Sequence, residues 1–358
     1  MRNRAIVLSI ISLFLGCSQS EEDGLFNFPI REELLPRIEK IEPQLISEKE
    51  YGFYDFLIIG DSCVGAMPPN TPQGFFYSVE SIDGAKDNPF FFCRRGRGPD
   101  EYLSLIPSVD LTKDGHLHVF DTMRSEMVEI DLEDSITDYS TSVVSKLPLE
   151  RENMPTNSFL SSYYLSDRQI LFFDSGADVQ TEEVKRIPDY VIYEKQDGKT
   201  IHLNFFRDRP IRHSRKAVTP KLTLALFDCV NPSRNKLCSV MGRWPQINIT
   251  DLRSEQTFGV RIKGLPHFTG KRLQYHFMDV TATDDRIFAL YANGVDASIA
   301  ERSALDIFVF DWNGNVMARY ATGGTFIRCS VAGDNLYLAR LTENGTMQLY
   351  SIAIKEMC

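Results

Sequence analysis

The residues of this sequence best suited to chemistry are two histidines, His116 and His118, and a large set of aspartates. Side chains two positions apart on a β-strand lie on the same face, so the two imidazoles form a pair that binds metal when a third ligand is near. No third ligand is evident from the spacing. Hydrogen-bonded histidines on a strand are the alternative interpretation, and it is the one we favour, so we predict no metal site.

Aspartates recur where apolar runs end. A glycosidase needs a general acid opposite a second carboxylate, and a calcium-dependent lactonase needs several oxygen ligands around one ion. At strand ends, however, aspartates commonly accept hydrogen bonds from turn backbone, and we favour this role. The residues concerned are Asp110, Asp114, Asp121, Asp131, Asp174, Asp228, Asp279, Asp284, Asp285, Asp306, Asp311 and Asp334. Since no HExxH, G-x-S-x-G or P-loop motif is present, we predict no catalytic residue and no cofactor, with calcium as the alternative.

Two tryptophans suggest binding instead. Trp244 follows Arg243 in a loop, and Trp312 precedes an Asn-Gly pair typical of a hairpin tip, so we expect Trp312 to be exposed. Exposed indole rings are suitable platforms for sugar faces or partner proteins. The alternative for Trp244 is packing between structural units. We take Arg243, Trp244 and Trp312 as the predicted binding residues, in a region made locally basic by Arg253, Arg261 and Lys263.

The elements that must position these residues are short strands. A turn with Asp, Asn or Gly, an apolar strand, a polar exit and a second strand recur, with starts near residues 55, 114, 167, 221, 284 and 334. A spacing of about 50 residues with about four strands per unit is typical of a β-propeller blade. We therefore predict an all-β, six-bladed propeller over residues 26–358; a β-sandwich or two β-domains are the alternatives.

The segment before the first repeat is predicted to close the ring, and it also contains the one stretch that could be helical. The last strand ends near Lys355, so the final blade lacks a strand, and we expect residues 26–46 to supply it. Within that segment, Arg31 to Lys40 is the only stretch with helical periodicity, and Pro36 interrupts it.

The N-terminus predicts export. Arg2 and Arg4 precede an apolar run, Ile6 to Leu15, that is too short to span a bilayer, so residues 1–16 form a signal peptide. The following Gly16-Cys17 resembles the bacterial lipobox, which implies a lipidated Cys17. An ordinary signal peptide is the alternative. Residues 17–25 are acidic, form a tether, and resemble the export signal of surface lipoproteins in Bacteroidetes. The expected location is the outer membrane, either surface-exposed or periplasmic.

Charge and cysteines limit the partners and the chemistry. The formal net charge is −10, so nucleic acid is excluded as a partner by repulsion. An exported chain can hold disulfides, but spacing does not decide the pairing. Cys229 and Cys238 flank a predicted turn and could face each other; small buried thiols are the alternative. The cysteines after Cys17 are Cys63, Cys93, Cys229, Cys238, Cys329 and Cys358.

The most specific motif closes the first repeat. It consists of Gly96, Arg97, Gly98, Pro99, Asp100, Glu101 and Tyr102. It resembles the Gly-Arg-Gly-Pro motif of the TolB-like six-bladed β-propeller lipoproteins of Bacteroidetes. The resemblance implies architecture and location rather than an activity. For the motif itself we expect a structural role at a corner between blades, with the acidic residues capping backbone or pairing with Arg97, and a ligand-binding role as the alternative.

These observations favour a non-enzymatic binding propeller of the cell envelope. Its partner would be a glycan, a peptide or an envelope protein, bound through the loop face. A hydrolase or lyase acting on carbohydrate or lactone at the central pocket is one alternative, and a structural subunit of an outer-membrane complex is another. An enzyme should bring titratable side chains together at the axis, whereas a scaffold should expose an apolar patch.

Overall fold

The structure is a computed structural model that describes most of the chain from residue 26 onward. The described residues are 26–68, 74–82, 89–106, 110–112, 114–150, 159–176, 187–207, 226–265, 275–292 and 304–357. The predicted signal peptide and tether, residues 1–25 with Cys17, lie outside these ranges, as does Cys358. Among the described residues, no helix is long and apolar enough to cross a membrane.

The N-terminal segment forms three short strands: β1 (Ile30–Leu34), β2 (Ile38–Lys40) and β3 (Gln44–Leu45). The helical periodicity of Arg31 to Lys40 is therefore misleading. β1 and β2 pair in parallel with the outer strands of two blades, so their backbone groups are bonded in ladders rather than within a helix. Pro36 lies in the connection between them, where a missing N–H costs nothing.

The rest of the chain forms six antiparallel sheets, which are the six blades. Blade 1 contains β4 (Asp55–Ile59), β5 (Ser62–Ala66), β6 (Phe75–Ser81) and β7 (Phe90–Arg94). Blade 2 contains β8 (Asp110–Leu111), β9 (His116–Asp121), β10 (Glu126–Asp131) and β11 (Ser142–Pro148), with helix α1 (Leu132–Asp138) before the last strand. Blade 3 contains β12 (Phe159–Ser166), β13 (Gln169–Asp174), β14 (Asp189–Glu194) and β15 (Thr200–His202).

The last three blades each receive one N-terminal strand. Blade 4 contains β16 (Leu226–Val230), β17 (Lys236–Met241), β18 (Gln246–Asp251) and β19 (Gln256–Lys263), with β1 outside β19. Blade 5 contains β20 (Phe277–Ala282), β21 (Arg286–Tyr291), β22 (Ala304–Asp311) and β23 (Val316–Phe326), with β2 outside β23. Blade 6 contains β24 (Arg328–Ala332), β25 (Asn335–Leu341) and β26 (Met347–Ala353), and a short 3₁₀ turn (Ile354–Glu356) follows.

The ring closes as the sequence predicts. Blade 6 has only three strands from the C-terminal part of the chain, and β3 is its fourth strand. Leu45 pairs with Tyr350, and the Ile46 amide donates to the Leu349 carbonyl (3.0 Å). The fold is therefore a six-bladed β-propeller, as expected. The recurring pattern began one strand late in four blades: the starts near 114, 167, 284 and 334 precede the second strands β9, β13, β21 and β25.

One buried apolar cluster fills each junction between neighbouring blades. Between blades 4 and 5, for example, Val240 and Ile249 pack with Phe308 and Phe310. The fully buried side chains on both faces of each sheet explain why the strands read as short apolar runs instead of a strict alternation. This packing holds the first strands of the blades around a common axis.

Candidate functional site

A cavity of about 180 Å³ lies on the propeller axis. It is at the end of the ring where the inner strands, the first strand of each blade, begin. Five of the six inner strands contribute to its wall: β4, β12, β16, β20 and β24. Its carboxyl groups are Asp55, Asp228 and Asp279, and its guanidinium is Arg328. The other lining residues are Tyr54, Leu160, Ser161, Tyr163, Phe173, Leu226 and Phe227. The cavity thus combines charged groups with aromatic walls, as ligand sites commonly do.

Asp228 is held by hydroxyl groups from blade 3. Tyr190 and Ser161 donate to its Oδ2 at 2.8 and 3.0 Å, and Tyr163 donates to its Oδ1 at 2.6 Å. Burial raises the pKa of Asp228, although these hydrogen bonds act in the opposite direction. The carboxyl group is consequently fixed in orientation, with its donors on neighbouring strands, before any ligand arrives.

Asp279, Asp55 and Arg328 form the second polar group of the cavity. The pKa of Asp279 is raised to about 7, because burial raises it more than Arg328 lowers it and Asp55 adds a smaller rise. Burial raises the pKa of Asp55 as well. Burial alone would lower the pKa of Arg328, but Asp279 and Asp55 raise it above its ordinary value. Near neutral pH, therefore, Asp279 exchanges a proton while Arg328 remains charged.

An ion pair lies at the other end of the inner strands. Arg234, in the β16–β17 turn, donates to Asp110 of β8 and to the Leu111 carbonyl. Asp110 also accepts from the Tyr164 amide of β12 (2.9 Å). His118 stacks on Tyr164 with ring centroids 4.0 Å apart, and burial lowers the pKa of His118 to about 4, so this imidazole is neutral. Among the described residues, Arg234, Asp110, Tyr164 and His118 thus pack together at the end of the ring opposite the three carboxylates.

The two histidines of β9 differ in their surroundings. His116 Nδ1 lies 2.6 Å from Glu129 Oε1, which makes it a hydrogen-bonded histidine on the blade surface. No group of three or more His, Cys, Asp or Glu side chains within the described ranges is arranged to hold a metal ion. The carboxylates of the axial cavity are likewise not grouped as a calcium site would require.

The expected exposure of the tryptophans is wrong. Trp312 is only 6% exposed, and its indole N–H donates to the Thr283 carbonyl (3.0 Å), because the hairpin tip folds over the adjacent turn. Trp244 is fully buried among residues of blades 3 and 4, which was the alternative interpretation. The Arg243 side chain is buried, with its guanidinium 3.9 Å from the Tyr275 ring centroid. None of the three presents a side chain to a partner at the surface.

The glycine motif forms a tight corner after β7. Glu101 accepts from the Gly98 amide (2.8 Å) and lies 3.5 Å from Arg94. Arg124 donates to the Gly98 carbonyl (2.8 Å) from blade 2. A Cβ on Gly96 would stand 1.9 Å from a Glu101 carboxylate oxygen, so a larger residue there would displace the Glu101 carboxylate. These contacts give the motif a structural role. Glu101 caps backbone, which is one of the two roles expected for the acidic residues. Its ion-pair partner is Arg94, whereas the other expectation was Arg97.

The cysteines within the described residues are free thiols. Cys229 and Cys238 occupy directly opposed positions on β16 and β17, as the turn between them predicts. Burial of Cys63, Cys93 and Cys329 raises the pKa of each thiol, so these groups are inert.

Sequence reasoning missed most of the axial site. Asp228 and Asp279 were among the aspartates assigned to turns, and Asp55 was noted only as the start of a repeat. Other aspartates do serve turns: Asp121 accepts from the Met123 amide (3.0 Å) and Asp311 from the Asn315 amide (2.8 Å). The axial aspartates lie within the first strands of their blades, whereas Asp121 and Asp311 end later strands, but the sequence alone does not show which strand comes first in a blade.

The fold and this cavity define the chain as a six-bladed β-propeller with an axial polar cavity. No family model and no curated protein sequence matches it. Among solved structures it is similar to a member of the DUF4221 family from Bacteroides vulgatus, with a TM-score of 0.50 and 8% identity over 88% of this chain and 96% of that one. It is also similar to an exported protein of Bacteroides fragilis, with a TM-score of 0.51 and 10% identity over 91% and 99%. At these identities the likeness concerns the fold alone.

Proposed function

We propose that this protein is a binding propeller of the cell envelope that holds a glycan unit in its axial cavity. The observation that carries the proposal is the convergence of Asp55, Asp228, Asp279 and Arg328 beside aromatic rings at the axis. Carboxylates accept paired hydrogen bonds from neighbouring sugar hydroxyls, and guanidinium groups donate to ring and hydroxyl oxygens. Tyr163, Phe173 and Phe227 offer apolar surface for the C–H face of a sugar ring.

The charge of the cavity limits the classes of ligand that it can bind. With three carboxyl groups and one guanidinium, the site disfavours anions such as phosphorylated ligands. The fixed orientation of Asp228 favours binding because less conformational freedom is lost when the ligand arrives. A neutral ligand avoids repulsion by the carboxylates, and a hydroxyl-rich ligand can donate hydrogen bonds to the fixed Asp228 carboxyl group.

The test is calorimetric titration of the purified protein with a panel of neutral mono- and disaccharides. We expect at least one to bind, and binding to fall at least tenfold in Asp228→Asn and in Arg328→Gln. Asp251→Asn is the matched control, since Asp251 is exposed and caps a turn distant from the axis. The absence of binding across the panel, or equal losses in all three variants, would refute the proposal.

A hydrolase or lyase is the second candidate, and one observation favours it. Asp279 titrates at about pH 7 in the same cavity as Asp228, and a carboxyl group that keeps a proton near neutrality suits general acid catalysis. Incubation with nitrophenyl glycosides and with lactones tests this function. Turnover that Asp279→Asn abolishes would favour an enzyme over a binding protein.

We further propose that the protein is a lipoprotein of the TolB-like type, anchored to the outer membrane through Cys17. The lipobox and the acidic residues after it support this location. Labelling of cells with a palmitate analogue tests it: incorporation is expected in the natural chain and absent in Cys17→Ser. Protease accessibility on intact cells then separates surface exposure from a periplasmic position.

A further inference from the structure

A second cavity, of about 360 Å³, lies beside the axial one near the junction of blades 1 and 2. Tyr54 lines both cavities, so the two share one wall. The remaining walls are Met67, Phe76, Arg95, Leu103, Ser104 and Leu105. We call this space the side cavity. In contrast to the axial cavity it is largely apolar, and its volume falls within the range typical of small-molecule sites.

Among the described residues that line the side cavity, Arg95 is the one with a charged side chain. Its guanidinium lies 3.8 Å from the Phe76 ring centroid, and its Nε and Nη2 donate to the Phe75 and Pro68 carbonyls at 3.1 and 3.4 Å. Because both bonds go to backbone carbonyls, the planar group is fixed in place while its charge is not neutralised.

Burial lowers the pKa of Arg95, and the ionisable groups that act on it in the opposite direction are Tyr54 and Tyr77. Burial raises the pKa of both tyrosines, so both are neutral at physiological pH. A partly buried cation without an anion is an unfavourable arrangement that a bound anion would relieve. The apolar walls, in turn, require a ligand whose remaining atoms are apolar.

We propose that the side cavity is a binding site for an apolar carboxylic acid, with the carboxylate at Arg95 and the hydrocarbon part against Met67, Phe76 and Leu105. This site is separate from the glycan site of the proposed function, and its ligand has the opposite chemistry. Leu103, which is 39% exposed, lies at the rim of the cavity and offers a position where charge can be changed without disturbing the core.

The experiment compares octanoate with 1-octanol by calorimetric titration of the full-length protein. The two probes share an aliphatic chain and differ in the charged group. We expect one site that binds octanoate at least tenfold more tightly than octanol. Phenylpropionate in place of octanoate shows whether the site prefers an aromatic acid, and tight binding of either acid supports the proposal.

Leu103→Glu and Leu103→Gln provide matched variants of similar shape. A carboxylate at the rim repels an anionic ligand, so Leu103→Glu should bind octanoate about tenfold more weakly than Leu103→Gln. Equal affinity in the two variants, or equal affinity for octanoate and octanol in the natural chain, would overturn the proposal. Asp228→Asn should leave octanoate binding unchanged, so failure of the glycan site and failure of this site are distinguishable.

Discussion

Arg234 of blade 4 forms an ion pair with Asp110 of blade 2, although blade 3 lies between these two blades. The side chain therefore passes over the inner edge of blade 3, where the Tyr164 amide donates to the same carboxylate. The turn that carries Arg234 is also bonded to blade 5, since the Ser233 amide donates to Asp284 (2.7 Å). This turn of blade 4 is thus bonded to blades 2 and 5, and blade 3 is bonded to the same network through Asp110.

Removal of one partner of this pair should be costly. Both side chains are largely buried, so Asp110→Asn leaves the Arg234 charge unpaired, while Asn still accepts from the Tyr164 amide. We expect a loss of about 3 kcal/mol in the free energy of unfolding, measured by urea denaturation. Glu32→Gln is the control, because its exposed pair with Lys263 should contribute less than about 1 kcal/mol. Similar losses in the two variants would show that the pair does not join the blades.

Asp279 should make stability depend on pH in an identifiable direction. Its folded pKa of about 7 lies above the unfolded value, so the stability it contributes is present below about pH 4 and is lost as pH rises through 7. Relative to Asp279→Asn, the natural chain should lose about 2 to 3 kcal/mol between pH 5 and pH 8. Chemical denaturation at these two pH values measures the difference.

Asp251→Asn supplies the control for this pH dependence. The Ser254 amide lowers the pKa of Asp251, so its contribution is lost only as pH falls through acidic values. Its difference from the natural chain should therefore stay constant between pH 5 and pH 8. A constant difference for Asp279→Asn as well would contradict the assigned pKa.

Trp312→Ala should affect stability and not binding. The indole ring is buried against blades 4 and 5, and its removal creates a cavity and leaves the Thr283 carbonyl without its donor. We expect a loss of about 3 to 5 kcal/mol. Calorimetric melting measures this loss, and saccharide titration of the folded variant should give the affinity of the natural chain. Weaker saccharide binding without loss of stability would instead support the sequence-based prediction that the Trp312 indole ring is exposed and binds the ligand.

The N-terminal strands should be required for a closed ring. A chain that begins at residue 26 retains β1, β2 and β3, whereas one that begins at residue 47 lacks all three and leaves blade 6 with three strands. We expect the first to melt like the longer protein and the second to melt at a much lower temperature or to aggregate through the unpaired edge of β26. Equal melting temperatures would show that β3 is dispensable.

The propeller was predictable because each blade repeats the same requirement. A small sheet with two apolar faces must be covered on both sides, and this requirement repeats about every 50 residues along the chain. The N-terminal strands were harder to recognise, since β1 and β2 lie on outer edges and carry exposed side chains such as Leu34. Their pairing partners are more than 200 residues away, so local periodicity misassigned them.

The axial site was less predictable because its parts come from five blades. Asp228 and Asp311 look alike in sequence, as each follows an apolar run. Only the three-dimensional arrangement shows that Asp228 meets hydroxyl groups of blade 3 while Asp311 accepts from its own turn. Trp312 was misjudged for a related reason: a residue at a hairpin tip is exposed in an isolated hairpin, but here the neighbouring turn covers it.

The closing strand also constrains how the protein reaches its native state. β3 and its partner β26 are separated by about 300 residues, so the ring cannot close until the last blade has been synthesised. Contacts of such separation form slowly, because the entropy of bringing the two ends together must be overcome first. The N-terminal strands are synthesised first and find their partners last, so their backbone hydrogen-bonding groups stay unpaired until the rest of the ring has formed.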